Sequence, residues 1–133
     1  MMHSHQENIK IECEENCGNS PKKLLLKDVS IALVKNEIDF CMEWMKEEVV
    51  WDIIGDQLIQ GKENVEKALN EMKDQEVQEL RIHNIITHGN TGSVNGMLVR
   101  KDKENIAFCD VYNFAGFGKK AKIQKITSYV IHL

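Results

Sequence analysis

Phe108-Cys109-Asp110-Val111-Tyr112-Asn113-Phe114 is the stretch whose reading decides the fold. It alternates with a period of two, which sends Phe108, Asp110, Tyr112 and Phe114 to one face of a strand and Cys109, Val111 and Asn113 to the other. Beyond Ala115-Gly116-Phe117-Gly118 a second alternating run sets Ile123, Lys125, Thr127, Tyr129 and Ile131 against Gln124, Ile126, Ser128, Val130 and His132. Two long strands joined by a glycine-bearing loop read as a hairpin. The same alternation sets a carboxylate among three aromatic side chains. Asp110 is then paired, has given up its charge, or lies on an edge strand and points at water, and periodicity does not choose among these.

Working back from the hairpin, Glu79–Thr87 and Ser93–Arg100 read as two more long strands, with turns at Gly89-Asn90 and Lys101-Asp102-Lys103. The last four strands therefore form an antiparallel meander. Ser20-Pro21 opens a first helix, with Ser as cap and Pro at the first helical position. Leu25, Leu26, Val29, Ala32 and Leu33 supply its apolar stripe, and Asn36 interrupts it. Ile38, Cys41, Met42 and Met45 begin a second stripe. Val49-Val50-Trp51-Asp52-Ile53-Ile54 reads as a strand, Gly55-Asp56 as a turn and Gln57-Leu58-Ile59-Gln60 as a short return. After Gly61 a third helix runs from Lys62 to about Lys73, with Val65, Ala68, Leu69 and Met72 inward. Helices first and sheet later make an α+β domain over residues 20–133, with three helices on one face of a curved antiparallel sheet. Such a sheet tends to close into a cone with an apolar pocket inside.

At 133 residues the chain has one domain's length and enough of it to bury a core. A net charge of −4, with basic residues dispersed, speaks against a nucleic-acid partner. No apolar run approaches membrane-spanning length and the N-terminus lacks a signal-peptide core, so a cytoplasmic protein with four reduced cysteines is expected. Residues 1–19 are polar, acidic and aperiodic, and are expected to form a flexible tail. Within it His3, His5, Cys13 and Cys17 are of metal-ligating type but loosely spaced, and neither a metal nor any other cofactor is expected.

Val50-Trp51-Asp52-Ile53-Ile54-Gly55-Asp56, then Ile59-Gln60-Gly61-Lys62-Glu63-Asn64-Val65, and Asp110-Val111-Tyr112-Asn113-Phe114 with Ile123 resemble the nuclear transport factor 2-like superfamily. That superfamily holds SnoaL-like cyclases, ketosteroid isomerases, ligand binders and docking modules, so the resemblance implies fold before function. It covers the chain from about Ser20 to Leu133. Against the ketosteroid isomerases, it implies that Asp52 matches the proton-shuttling aspartate and Asp110 the oxyanion-hole aspartic acid. The first helix departs from them: Asp28-Val29-Ser30-Ile31 stands where their oxyanion-hole tyrosine would be, and no tyrosine precedes Tyr112.

The expected site follows. Asp52 is the candidate base and Asp110 the candidate acid, with Tyr112 as a second donor; the alternative is that Asp110 pairs with Tyr112, Arg81 or water and only shapes the pocket. Val94, Gly96, Leu98, Phe108, Phe114, Ile126, Ser128 and Val130 are the expected ligand-binding lining, with Trp44, Trp51 and His83 as candidates of unsettled facing. Gly96 either leaves room for a ligand or marks a bend. Cys109 with His83 has the residue types of a thiol–imidazole pair but reads as a small hydrophobe facing away from Asp110. The partner expected is a small apolar molecule, bound with or without carboxylate-based proton transfer; the alternative is a non-catalytic interaction module. Cys109, Val111, Thr127, Tyr129 and Ile131 make the outer sheet face apolar enough to imply a homodimer.

Overall fold

A computed structural model describes residues 8–14, 19–72 and 76–133. Among these residues seven strands and three helices run in the order β1 (Lys10–Cys13), α1 (Pro21–Lys35), α2 (Ile38–Glu43), β2 (Met45–Ile53), β3 (Gln57–Gln60), α3 (Lys62–Glu71), β4 (Val77–His88), β5 (Thr91–Arg100), β6 (Ile106–Phe114) and β7 (Ile123–His132). One curved, unclosed sheet takes all seven strands in the order β1-β4-β5-β6-β7-β2-β3. The expected meander β4–β7 is antiparallel throughout, whereas β1 joins β4 and β2 joins β7 in parallel.

The helix boundaries follow their local chemistry. Ser20 caps α1 by accepting from the Lys23 backbone N–H at 3.3 Å, and Pro21 stands in the first turn. Asn36 ends α1 in the left-handed region, with φ 60°, a conformation asparagine tolerates better than most residues. Helix α1 packs against β4 and β5, α3 against β2 and β3, and α2 between α1 and α3. Leu26, Val29, Val65, Tyr112, Phe114 and Ile123 are among the side chains buried completely in the resulting core.

Two features differ from the sequence reading. The segment before Ser20 contributes an edge strand: Lys10-Ile11-Glu12-Cys13 pairs with Glu79–Ile82, and Ile9 beside it is buried. Four residues of alternation inside an acidic stretch are too short to stand out as a period. Cys13 is disulfide-bonded, against the expectation of four reduced thiols, while Cys41 and Cys109 are free. His3, His5 and Cys17, the other candidates for metal binding, lie outside the described residues. Among the described residues no helix is long and apolar enough to cross a membrane.

Candidate functional site

The strand registers sort every sheet residue onto a face. One inner row runs Ile85, Val94, Asp110, Ser128, Ile53 across β4, β5, β6, β7 and β2, and the next runs Thr87, Gly92, Tyr112, Ile126, Trp51 and then Ile59 of β3. Helix α1 lies over the Tyr112 end of this face. Its Leu26 comes so close to Gly92 that a methyl group there would stand 2.5 Å from Leu26 Cδ1. Toward the other end a cavity of about 550 Å³ opens, bordered by Ser30, Leu33 and Val34 of α1, a size typical of small-molecule sites. Leu98, Phe108, Ile126 and Val130 of the expected lining border it, as do Trp51, Ser128 and Asp110. Val94, Tyr112 and Phe114 share the inner face but are fully buried core and do not border the cavity.

Asp110 is among the polar residues that border the cavity. It is half-buried because it borders the cavity, yet protein encloses it closely enough that burial pushes its carboxyl up from 3.8 to about 6. A hydrogen bond from Ser128, its partner across β6 and β7, acts in the opposite direction. The Trp51 indole N–H donates to Ser128 Oγ at 2.9 Å. With that lone pair occupied, the Ser128 proton is directed to Asp110, so Trp51 positions the serine that positions the carboxylate. Arg81 is not a partner of Asp110: its Nε pairs with Glu79 Oε2 at 3.2 Å. At neutral pH a carboxyl with this pKa is mostly ionised, which makes Asp110 an acceptor rather than the neutral donor the sequence suggested.

Several expected site residues fall elsewhere. Asp52 is not in the cavity wall, although Trp51 and Ile53 on either side of it are. It pairs with Thr127 of β7 and Leu58 of β3 in an outer-face row, so the two aspartates do not share a site. Tyr112 offers nothing to a ligand. Its buried hydroxyl has no hydrogen-bond partner within good geometry, and burial, with the nearby charge of Asp110 next in weight, keeps the phenol well above its usual range. Ser30 is near enough to favour the ionised phenol slightly, but its own proton goes to the Leu26 carbonyl at 2.8 Å. Gly96 leaves no ligand space, because the backbone of Arg81 and Ile82 presses against it. His83 is exposed at a register irregularity between Ile82 and Asn84, and Trp44 caps α2 against the core without reaching the cavity. Cys41 is likewise core, with burial, then the Glu37 charge, pushing its thiol up to about 12.

The sequence reading missed the cavity's mouth and part of its wall. Asp56, Glu76 and His132 are exposed residues that border it, Ser30 and Asn36 come from α1 and its cap, and Ile9 comes from the segment before β1. Ser30 alone carried a signal, as a hydroxyl on an otherwise apolar helix stripe. Among the described residues no group of three or more His, Cys, Asp or Glu side chains is placed to hold a metal ion.

This architecture is that of the nuclear transport factor 2-like proteins. No protein-family model matches the sequence, and no curated protein does. Solved structures similar to it include a nuclear transport factor 2-like protein of unknown function from Cytophaga hutchinsonii, 22% identical, with 83% of this chain and 99% of that one covered at a TM-score of 0.68. A ketosteroid isomerase-like protein from Kribbella flavida is 13% identical over 85% of this chain and 79% of its own, with a TM-score of 0.71. An epoxide hydrolase from M. tuberculosis is 18% identical over 81% and 76%, at 0.65. At these identities the likeness establishes the fold alone.

Proposed function

We propose that this chain binds a small, largely apolar molecule in the cavity, with Asp110 as the polar anchor and as the group that exchanges a proton with the molecule where it is turned over. The observation that carries the reading is the 550 Å³ cavity with one enclosed carboxyl in its wall. Similar folds are described as SnoaL-like cyclases, epoxide hydrolase-like enzymes and ketosteroid isomerase-like proteins, which supports isomerase, cyclase or hydrolase chemistry. With Asp52 on the outer face, the division of labour between two carboxyls gives way to one, and Asp110 is the base.

The test uses 2-naphthalenemethanol, a neutral apolar probe, followed through the two indole N–H resonances. Saturable binding is expected to shift Trp51, whose N–H points at Ser128 in the cavity wall, and to leave Trp44 in place. Asp52→Asn is expected to bind the probe unchanged. Saturation of the protein with no movement of Trp51 would overturn the reading.

The partner we propose for the outer face is a second copy of the chain. Three parallel rows there run Ile86-Ser93-Val111-Thr127, Asn84-Asn95-Cys109-Tyr129 and Arg81-Met97-Ala107-Ile131. Ile86, Tyr129 and Ile131 are 61%, 48% and 63% exposed, which leaves an apolar patch uncovered by any helix. Light scattering at micromolar concentration is expected to give twice the chain mass of 15.3 kDa, and Tyr129→Glu to give the single mass. A wild-type monomer would refute the dimer. The same outer face is what a docking module would use, and docking is the second reading. A cytoplasmic setting belongs to the proposal too; the free thiols of Cys41 and Cys109 suit it, and the Cys13 disulfide weighs the other way.

A further inference from the structure

Resting on the reading of the cavity as a small-molecule site, we propose that its ligand is a cation: an apolar body carrying a protonated amine, seated with the ammonium against Asp110.

The cavity wall is one-sided in charge. Among the described residues that border it are three carboxylates, Asp110 in the wall and Asp56 and Glu76 at the mouth, one histidine, His132, and no lysine or arginine. Among the described residues the basic side chains of Lys103 and Arg100 are held in ion pairs, the first with a mouth carboxylate. Lys103 Nζ lies 3.2 Å from Glu76 Oε1, so that among the described residues Asp56 is the mouth carboxylate without an ion pair, and Arg100 Nη2 lies 2.8 Å from Glu104 Oε1. His132 Nδ1 also faces Glu104, at 3.5 Å.

Around Asp110 itself, β5 contributes Val94, β7 contributes Ser128 and β2 contributes Ile53, while α1 brings Ser30 to the cavity. The titratable groups on its own strand are Cys109 on the opposite face and Tyr112, both of which its charge disfavours in ionised form. Among the described residues burial and the Ser128 hydroxyl are the influences that shift it, and neither is a basic group. A carboxylate among apolar side chains with one neutral donor is an incompletely paired buried charge, and such charges are costly until a counter-charge arrives.

An ammonium supplies that counter-charge together with a second donor, on the carboxylate oxygen that Ser128 leaves open. Trp51, Phe108, Leu98 and Ile126 give the hydrocarbon body an aromatic and aliphatic wall. A carboxylate or phosphate ligand would meet like charge at the wall and again at the mouth. A neutral ligand would leave the Asp110 charge as it stands.

The experiment compares three probes of one shape by calorimetry: 2-naphthylmethylamine, 2-naphthalenemethanol and 2-naphthoate. At pH 8 the amine is expected to bind at least about tenfold more tightly than the alcohol, with the carboxylate weakest. Lowering the pH to 5 protonates Asp110 and is expected to weaken the amine about tenfold without moving the alcohol. Asp110→Asn is expected to equalise amine and alcohol, and its circular dichroism and thermal melt show whether the variant is still folded. If that variant fails to fold, the pH series on the wild-type protein decides. An alcohol or carboxylate bound as well as the amine, or an amine preference indifferent to pH 5, overturns the inference and leaves the cavity reading intact. Binding of none of the three overturns both.

Discussion

Asp110→Asn is expected to make the protein more stable at pH 8 by about 2–3 kcal/mol, a rise in Tm of roughly 8 °C. The folded carboxyl titrates near 6 against 3.8 for the ordinary group. Below 3.8 the side chain is neutral in both states and the fold has its full stability from this source. As pH rises to 6 the unfolded chain releases the proton first, so stability falls; above 6 both states are ionised and the loss is complete. Asparagine never ionises and keeps an acceptor for the Ser128 hydroxyl, so it escapes that loss. The gain should be present at pH 8 and absent at pH 3.5, and thermal melts at the two pH values measure it. Ser128→Ala, which removes the hydrogen bond opposing the shift, should move the Asp110 titration further up. If Asp110→Asn is destabilised at pH 8, the carboxylate is a structural anchor and its place as the functional group of the cavity is lost. A stabilising replacement is what a group held in an unfavourable setting for its chemistry should give.

What was legible in the sequence follows the strength of each local period. Phe108–Phe114 and Ile123–His132 alternate cleanly, and the register pairs Asp110 with Ser128 and Phe108 with Val130 on the inner face, as their alternation implies. The strand bearing Trp51 and Asp52 is apolar at five of six positions from Val49 to Ile54, so its pattern says nothing of facing. The resemblance to ketosteroid isomerases turned Asp52 inward, and the pairing with Thr127 turns it outward. His83 follows a register irregularity, which changes the phase of any count made along β4. Which inner-face residues border space and which form core depends on where α1 lies, a tertiary fact. That is why Tyr112, Phe114 and Val94 read as lining and stand as core. Tyr112 shows the consequence, since its hydroxyl is near Asp110 and is still sealed away from the cavity.

Gly96→Ala should cost about 3 kcal/mol or more, and this separates a structural glycine from one that leaves room for a ligand. The glycine's φ lies outside the left-handed region, so an alanine backbone is not strained there; the obstacle is contact. A Cβ at this position would collide with the Arg81 carbonyl oxygen, with the Arg81 carbonyl carbon at 2.9 Å and Ile82 Cα at 3.1 Å. All three are backbone atoms of the neighbouring strand, so no side-chain rotation relieves the clash. The pairing of β4 with β5 is irregular between Ile82 and Asn84, immediately beside this contact, and glycine is what lets the two backbones approach there. Relief therefore requires the strands to part next to Leu80 and Leu98, which border the cavity. Gly92→Ala is the control. Its nearest obstacle is the end of the Leu26 side chain at 2.5 Å, which can move, so a smaller loss is expected. Denaturant unfolding of both variants, with 2-naphthalenemethanol binding measured alongside, distinguishes the roles. Had Gly96 marked ligand space, its alanine variant would keep wild-type stability and lose the probe; that result would overturn the structural assignment.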